Sequence, residues 1–443
     1  MKFLEVEGQA PLMGTVTIAG SKNLAIKLIY AAMYSNDDVV LQNVPGESVL
    51  KDDLDVVKSV GATVEWRDEN TLLLNGSTIN SYKVPLQAGN RSRTALLFAG
   101  PLLFRFGSAS IPKVKSASFK ASPVNRLLEG WISLGVSNKA DKDYYLLSSE
   151  KMKPANISFR SATLMGTDSA VLTALATSGE TFIHNASEDV EVDSLIDFLK
   201  VIGADVVRTD PGKIKVTGGN IFKGSTYRLG FDRVSAANFI VGALITKGNI
   251  TLKGVDREPI TSFLHFLMKV GAKFEFSDTE LKVWCSGESL ESTSVSIGPP
   301  PGLLPDWQPL IVLLLALAPG ESLVHDTVYV DRFGYVKDLN RMGASIDLVK
   351  PSEVGLDAIV NEDHYSMEKR GEPTTVAKIA GHAKLKGFKA NIDDMRHGAV
   401  LVLAALAAEG KSQISGHEKI EESFVNFYND LKSLGAKINV SNN

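Results

Sequence analysis

Val60-Gly61-Ala62-Thr63-Val64-Glu65-Trp66 closes a helix-like apolar run on a hydrophobic-Gly-Ala corner. It then alternates polar with apolar residues, as a half-buried strand does. The corner recurs as Leu134-Gly135-Val136, Ile202-Gly203-Ala204, Val270-Gly271-Ala272, Met342-Gly343-Ala344 and Leu434-Gly435-Ala436. A glycine there supplies the left-handed residue on which helices commonly end. The steps from one corner glycine to the next are 74, 68, 68, 72 and 92 residues. Internal repetition decides an architecture ahead of any propensity, so the chain reads as six copies of one folding unit.

A second signature lies out of phase with the first: an Ala/Leu-rich helix, a small turn, then a strand. It reads clearly at 170–176 before Gly179, 239–244 before Gly248, 310–318 before Gly320 and 400–408 before Gly410. Ala31 to Met33, and Ala95 to Phe104 with Gly107, are its first two forms. These helices are apolar nearly all round and are expected to be buried. Each unit therefore holds one buried helix, one amphipathic helix and several strands.

Three units can close around their own buried helices, which divides 443 residues at about the size where single cores stop growing. The expected domains are 21–229, with a mobile loop at about 111–123, and 1–20 plus 230–443. The N-terminal strand segments join the C-terminal half. The last step is longest because 351–377, rich in Glu, Lys, Asp and Pro, reads as an insertion.

Composition is that of an ordinary globular protein, 44% hydrophobic and 22% charged. A net charge of −4 argues against general nucleic-acid binding. No signal peptide and no uninterrupted apolar run of spanning length is read, so no membrane association is expected. The lone Cys285 cannot form an internal disulfide, in keeping with a cytoplasmic location. It lies in a strand pattern and reads as a packed core residue. No Cys/His cluster has metal-ligand spacing, and no phosphate- or dinucleotide-binding glycine motif occurs. No metal and no cofactor are expected.

Candidate ligand groups are polar residues at the starts of buried helices, where backbone N–H groups and the helix dipole favour anions. Gly20-Ser21-Lys22-Asn23 precedes the first such helix; its plain reading is a serine cap beside a solvated lysine. Arg91-Ser92-Arg93, Asp331-Arg332-Phe333 and Asp393-Asp394-Met395-Arg396-His397 each put an arginine at an element boundary. Arginine grips carboxylate or phosphate with two parallel bonds, although a surface ion pair is the plain reading of any one of them. Pro305-Asp306-Trp307-Gln308 interrupts an apolar segment. Asp306 is either a helix cap or a carboxylate placed for general-base work.

These stretches, with Gly100-Pro101-Leu102, Arg105-Phe106-Gly107, Asp232-Arg233 and Arg341-Met342-Gly343-Ala344, resemble the enolpyruvyl transferase superfamily over nearly the whole chain. Within it the chain is most similar to the UDP-N-acetylglucosamine 1-carboxyvinyltransferase branch. The resemblance implies a two-domain inside-out α/β barrel of six βαβαββ-type units, three per domain. It implies transfer of enolpyruvyl from phosphoenolpyruvate to a hydroxyl of UDP-N-acetylglucosamine, with release of phosphate, in peptidoglycan precursor synthesis.

It also implies roles. Lys22 contacts phosphoenolpyruvate, Asn23 binds the sugar substrate and Arg93 faces phosphate groups. Arg332 and Arg396 clamp the carboxylate of phosphoenolpyruvate, with Asp394 beside them. Asp306 deprotonates the attacking hydroxyl, and Val328 packs the sugar nucleotide. Pro123 and Asn125 stand on the uracil side. Several family positions are not kept. Lys113 to Lys120 holds neither the loop cysteine nor an aspartate in its place, Ser122 replaces an arginine, Asn125 an aspartate and Glu422 an arginine, with Lys419 close by. The departures leave two other readings open. One is a paralogue acting on a different nucleotide or sugar in secondary metabolism; the other is a non-catalytic ligand-binding homologue.

Overall fold

The computed structural model describes residues 2–114, 124–285, 290–362, 365–392 and 395–442. The chain divides into two compact units, Gly20–Gly230 and Met1–Ala19 with Phe231–Asn443. Among the described residues each unit carries three small sheets.

Five of the six sheets have four strands in one repeating order. In one of them Asn156–Ser158 runs parallel beside Gly179–His184. That strand pairs antiparallel with Lys213–Gly218, which pairs antiparallel with Asp205–Asp210. Ser225–Arg228 supplies the parallel flank for Val39–Gln42, and Met13–Thr17 supplies it for Asn249–Lys253. The sheet of Ser108–Pro112, Tyr144–Ser148 and Ser137–Lys139 has three strands, its flank reduced to one parallel bridge between Lys83 and Ser110. In the last sheet the N-terminal strand Lys2–Glu7 sits between Lys411–Ser415 and Lys437–Asn442. The sixfold repeat read from the glycine corners is thus the repeat of the sheets, and the fold is α/β.

Inside each unit three helices pack on one another. In Gly20–Gly230 they are Lys22–Ala32, the Arg93–Phe106 segment and Leu164–Ala174. In the other unit they are Arg233–Ile245, Gln308–Leu317 and Met395–Ala407. Their lack of a polar face is the reason they are interior. The run Ile311 to Leu315 has no exposed surface, and each such side chain contributes about 2 kcal/mol of transfer free energy. The amphipathic helices Glu47–Ser59, Asn125–Ser133, Val190–Val201, Thr261–Lys269, Val336–Met342 and Phe427–Ser433 end at the six corners. All six glycines have positive φ, from 72° at Gly271 to 114° at Gly343. At Gly343 a Cβ would also lie 2.8 Å from the Lys384 carbonyl oxygen, so no other residue fits without a shift of backbone.

Several expectations need correction. The segment 351–377 is not wholly a solvated insertion. Val376–Ile379 is an inner strand that pairs with both Ser322–Asp326 and Ile346–Val349, so the excursion ends before it. Ile111 and Pro112, assigned to a mobile loop, are paired strand residues opposite Tyr145 and Tyr144; residues 115–123 lie outside the described residues. The second buried helix is two pieces, a 3-10 helix Arg93–Phe98 and an α-helix Ala99–Phe106. Pro101 has no N–H to donate and is tolerated where it falls, in the first turn of a new helix. Cys285 is only partly buried, just past the strand Glu280–Trp284, and is not a core residue.

Candidate active site

Trp307 sets the approach to the helix Gln308–Leu317. Its indole Nε1 donates to the Arg233 carbonyl at 3.3 Å and its ring packs on Phe263 at 5.0 Å. Trp307 holds the cap position and makes no side-chain cap bond. Asp306, one residue ahead of Trp307, is therefore not used as a cap. Its Oδ1 accepts from Arg332 Nη2 at 2.5 Å. Asp306 remains 41% exposed while Arg332 is 11% exposed, so the pair is open on the carboxylate side.

Arg332 stands on the loop after the strand Ser322–Asp326, and one buried carboxylate shapes that loop. Asp326 has no exposed surface. Its Oδ1 accepts from the backbone N–H groups of Val328 and Tyr329, both at 2.9 Å. Its Oδ2 accepts from Gln308 Nε2 at 3.1 Å. Gln308 Oε1 in turn accepts from the Tyr335 hydroxyl at 2.9 Å. The turn so formed places the Tyr329 ring 4.3 Å from the Arg332 guanidinium. Burial opposes the Arg332 charge, but Asp306, Tyr329 and Asp326 outweigh it and hold its pKa above the usual value. Burial pushes Asp326 upward, countered by the bonds from Tyr329 and Val328. Tyr335 is pushed well above its ordinary range, first by burial and then by Asp326.

Tyr335 also meets the ring of His397 at 5.6 Å. His397 follows Arg396 in the first turn of Met395–Ala407. A Cβ on Gly334 would lie 2.7 Å from His397 Cε1, so the glycine leaves room for the His397 imidazole beside the Arg332 loop. The backbone of Arg396 belongs to this helix; Asp394 lies outside the described residues.

In Gly20–Gly230, Ser21 caps the helix Lys22–Ala32 by accepting from the Leu24 N–H. The same hydroxyl donates to Glu191 Oε1 at 2.8 Å. Lys27, one turn further on, lies 3.4 Å from Glu191 Oε2 and 3.0 Å from Asp168 Oδ2. All three charged groups are buried, and Asp189, which caps the helix of Glu191, is buried near them. One ammonium faces several carboxylates. Burial and the neighbouring acids push Asp168 up to about 6, although Lys27 pulls the other way. This cluster fixes the first turn that carries Lys22 and Asn23. Lys22 is partly buried and has a partner, whereas Asn23 is exposed.

Arg93 opens the 3-10 helix after Ser92, whose hydroxyl donates to Asp53 Oδ1 at 2.5 Å; Tyr30 and Thr94 bond the same oxygen. Arg91 is an exposed pair with Asp52 and Asp55, the plain surface reading. Asn125 begins the helix Asn125–Ser133 and is exposed; Pro123 lies outside the described residues. Lys419 donates to the Ile392 carbonyl at 3.1 Å, and Glu422 follows the short helix Glu418–Glu421.

The structure therefore pairs Asp306 with Arg332, with Val328 on the same loop as Arg332, and places Lys22, Asn23, Arg93 and Asn125 in the other unit. Sequence reasoning missed Asp326 and Tyr335 as shapers of the Arg332 loop. It also missed Lys27, Asp168 and Glu191. Lys27 and Asp168 carried a usable signal, each being a charge in the interior of a buried helix. Among the described residues no group of three His, Cys, Asp or Glu is arranged to hold a metal ion, and no helix is long and apolar enough to cross a membrane.

The family described as EPSP synthase (3-phosphoshikimate 1-carboxyvinyltransferase) matches residues 6–431. The chain is 30% identical to a UDP-N-acetylglucosamine 1-carboxyvinyltransferase of Campylobacter hominis, covering 99% of each chain. It is 28% identical to the enzyme of that name from Hydrogenovibrio crunogenus, covering 96% of this chain and 97% of the other. In structure it is similar to the enolpyruvyl transferase NikO from Streptomyces tendae. That likeness has a TM-score of 0.86 and 20% identity over 99% of both chains, and it carries the fold alone.

Proposed function

This chain belongs to the EPSP synthase family and is an enolpyruvyl transferase; on that premise we propose that it moves the enolpyruvyl group of phosphoenolpyruvate to a hydroxyl of UDP-N-acetylglucosamine, releasing phosphate. The observation that carries the reading is the Asp306–Arg332 pair on its shaped loop. A guanidinium has five N–H donors in a fork, so one bond to Asp306 does not exhaust Arg332 as a carboxylate ligand. Asp306 is partly open and can take a proton from a hydroxyl. The choice of acceptor rests on the names of full-length relatives at 28% and 30% identity.

In the proposed reaction carbon 3 of phosphoenolpyruvate gains a proton and carbon 2 becomes electrophilic. The acceptor oxygen bonds to carbon 2 as its proton passes to Asp306. Loss of a proton from carbon 3 and of phosphate from carbon 2 then restores the double bond. Arg332 and Arg396 hold the carboxylate, Lys22 and Arg93 meet the phosphate-bearing groups, and Asn23 and Val328 meet the sugar nucleotide. Asp394, Pro123 and Asn125 complete the assignment. The protein supplies orientation and fixed charges.

A second reading, a different nucleotide or sugar acceptor, is favoured by Asn125. It is an exposed amide where the resembled branch is expected to use a carboxylate against uracil. The test is phosphate release from phosphoenolpyruvate with UDP-N-acetylglucosamine and with a panel of other nucleotides and sugars. Release with the first supports the proposal. Release only with another compound replaces it by the second reading, and silence with all of them removes both.

A further inference from the structure

We propose that the described parts of the excursion, 350–362 and 365–375, form a strap that positions the Arg332 loop, with Glu362 and Asn361 as its positioning residues. The inference rests on the assignment of Arg332 to phosphoenolpyruvate for its kinetic arm, and on geometry alone for its structural arm.

The excursion stands where the repeat has a tight hairpin. In three of the other sheets the corresponding strands are Thr63–Trp66 and Thr71–Asn75, Asp205–Asp210 and Lys213–Gly218, and Lys273–Ser277 and Glu280–Trp284. A few residues join each of those pairs. Here Ile346–Val349 and Val376–Ile379 keep the same antiparallel pairing, yet a long segment joins them. Nothing in the pairing requires that length.

The added chain is braced and returns to the site. Ser352 N–H and hydroxyl both donate to the Glu372 carboxylate, at 2.8 and 2.5 Å, tying its two ends together. Between them Asn361 Nδ2 donates to the Thr327 carbonyl at 2.8 Å, and Glu362 Oε1 accepts from the Val330 N–H at 3.1 Å. Those two contacts bracket Val328 and Tyr329. Asp326 already holds the N–H groups of these same residues. The loop is thus gripped at four successive positions, 327 to 330, two by Asp326 and two by the excursion. Arg332 lies two residues beyond, on the Tyr329 ring. A loop residue that must orient a guanidinium gains from such grip, because a small misplacement of a clamp is costly in rate or affinity.

The test compares Glu362→Ala, which removes the acceptor, with Glu362→Gln, whose carbonyl oxygen can still accept from Val330. Amide hydrogen exchange of the 327–332 segment reads the grip directly. The Val330 amide is expected to exchange about three- to tenfold faster in the Ala variant, the size set by one net hydrogen bond, and to recover in the Gln variant. The KM for phosphoenolpyruvate is expected to rise by a similar factor in the Ala variant, with kcat changed less than about twofold, and to recover with Gln. Unchanged exchange at Val330 overturns the strap. Faster exchange with unchanged KM overturns its positioning role. If the unaltered protein releases no phosphate with any acceptor, the functional proposal fails while the exchange arm still decides the strap.

Discussion

Arg332 Nη2 donates to Asp306 Oδ1 at 2.5 Å across 26 residues of sequence, joining a loop after a strand to a residue two positions ahead of a buried helix. If Asp306 is the base and Arg332 the carboxylate ligand, the two substitutions must separate. Asp306→Asn keeps the shape and the bond from Arg332 but removes the proton acceptor. Its kcat for phosphate release is expected to fall at least about 100-fold, with the phosphoenolpyruvate KM changed little. Arg332→Ala is expected to raise that KM about 10- to 100-fold, the range for losing hydrogen bonds to a charged group. Initial-rate kinetics decide both; an Asp306→Asn enzyme of normal kcat would remove Asp306 from the base role.

Asp326 is the central acceptor of the loop, and Ala in its place leaves the Val328 and Tyr329 N–H groups and Gln308 without their partner. Urea denaturation of Asp326→Ala is expected to show a loss of about 2–4 kcal/mol. A loss under about 0.5 kcal/mol would mean that water replaces the carboxylate at no cost.

Asp168 should make stability depend on pH in a recognisable direction. Its folded pKa, about 6, is above the unfolded value for an aspartate. Between about pH 4 and 6 the native state therefore holds a proton that the unfolded state has lost, and stability declines as pH rises through that window. Above it an ionised, buried Asp168 is carried at a cost. Asp168→Asn lacks this term, so its stability relative to the unaltered protein should improve by roughly 1–3 kcal/mol from pH 4 to pH 7.5. Denaturation curves at several pH values measure it. A constant difference would show that Lys27 compensates the charge fully.

Gly343→Ala tests the corner itself. The position has φ of 114° and a carbonyl oxygen 2.8 Å from a would-be Cβ. A stability loss of about 1–3 kcal/mol is expected, from strain and displaced backbone. Activity per folded molecule should be unchanged, because the backbone that a Cβ on Gly343 would meet is that of Lys384, which is not a proposed site residue.

The repeat was legible because it is written in local chemistry. A left-handed glycine after an apolar helix and before an alternating strand needs no distant partner to be recognised. Buried helices were legible for a related reason: a helix without a polar face has nowhere to go but inward. The exact ends of the excursion were not, since its Pro, Glu and Lys content reads as solvated whether or not it leads into an inner strand. Cys285 misled in the opposite sense, because a strand pattern does not reveal which residue falls past the strand's end.

Residue types at helix starts could be read from the chain, and with them the arginines and Asp306 as candidates. Tertiary structure alone decided which partner each of them has. Asp306 turned to Arg332 where a cap was equally open to it, Arg91 went to a surface pair, and Lys27, Asp168 and Glu191 met from three separate helices. The physical reason is range. Caps, corners and periodicity act within a few residues, whereas an ion pair or a shared carboxylate depends on where the packing of apolar faces brings remote segments, and that is a property of the folded whole.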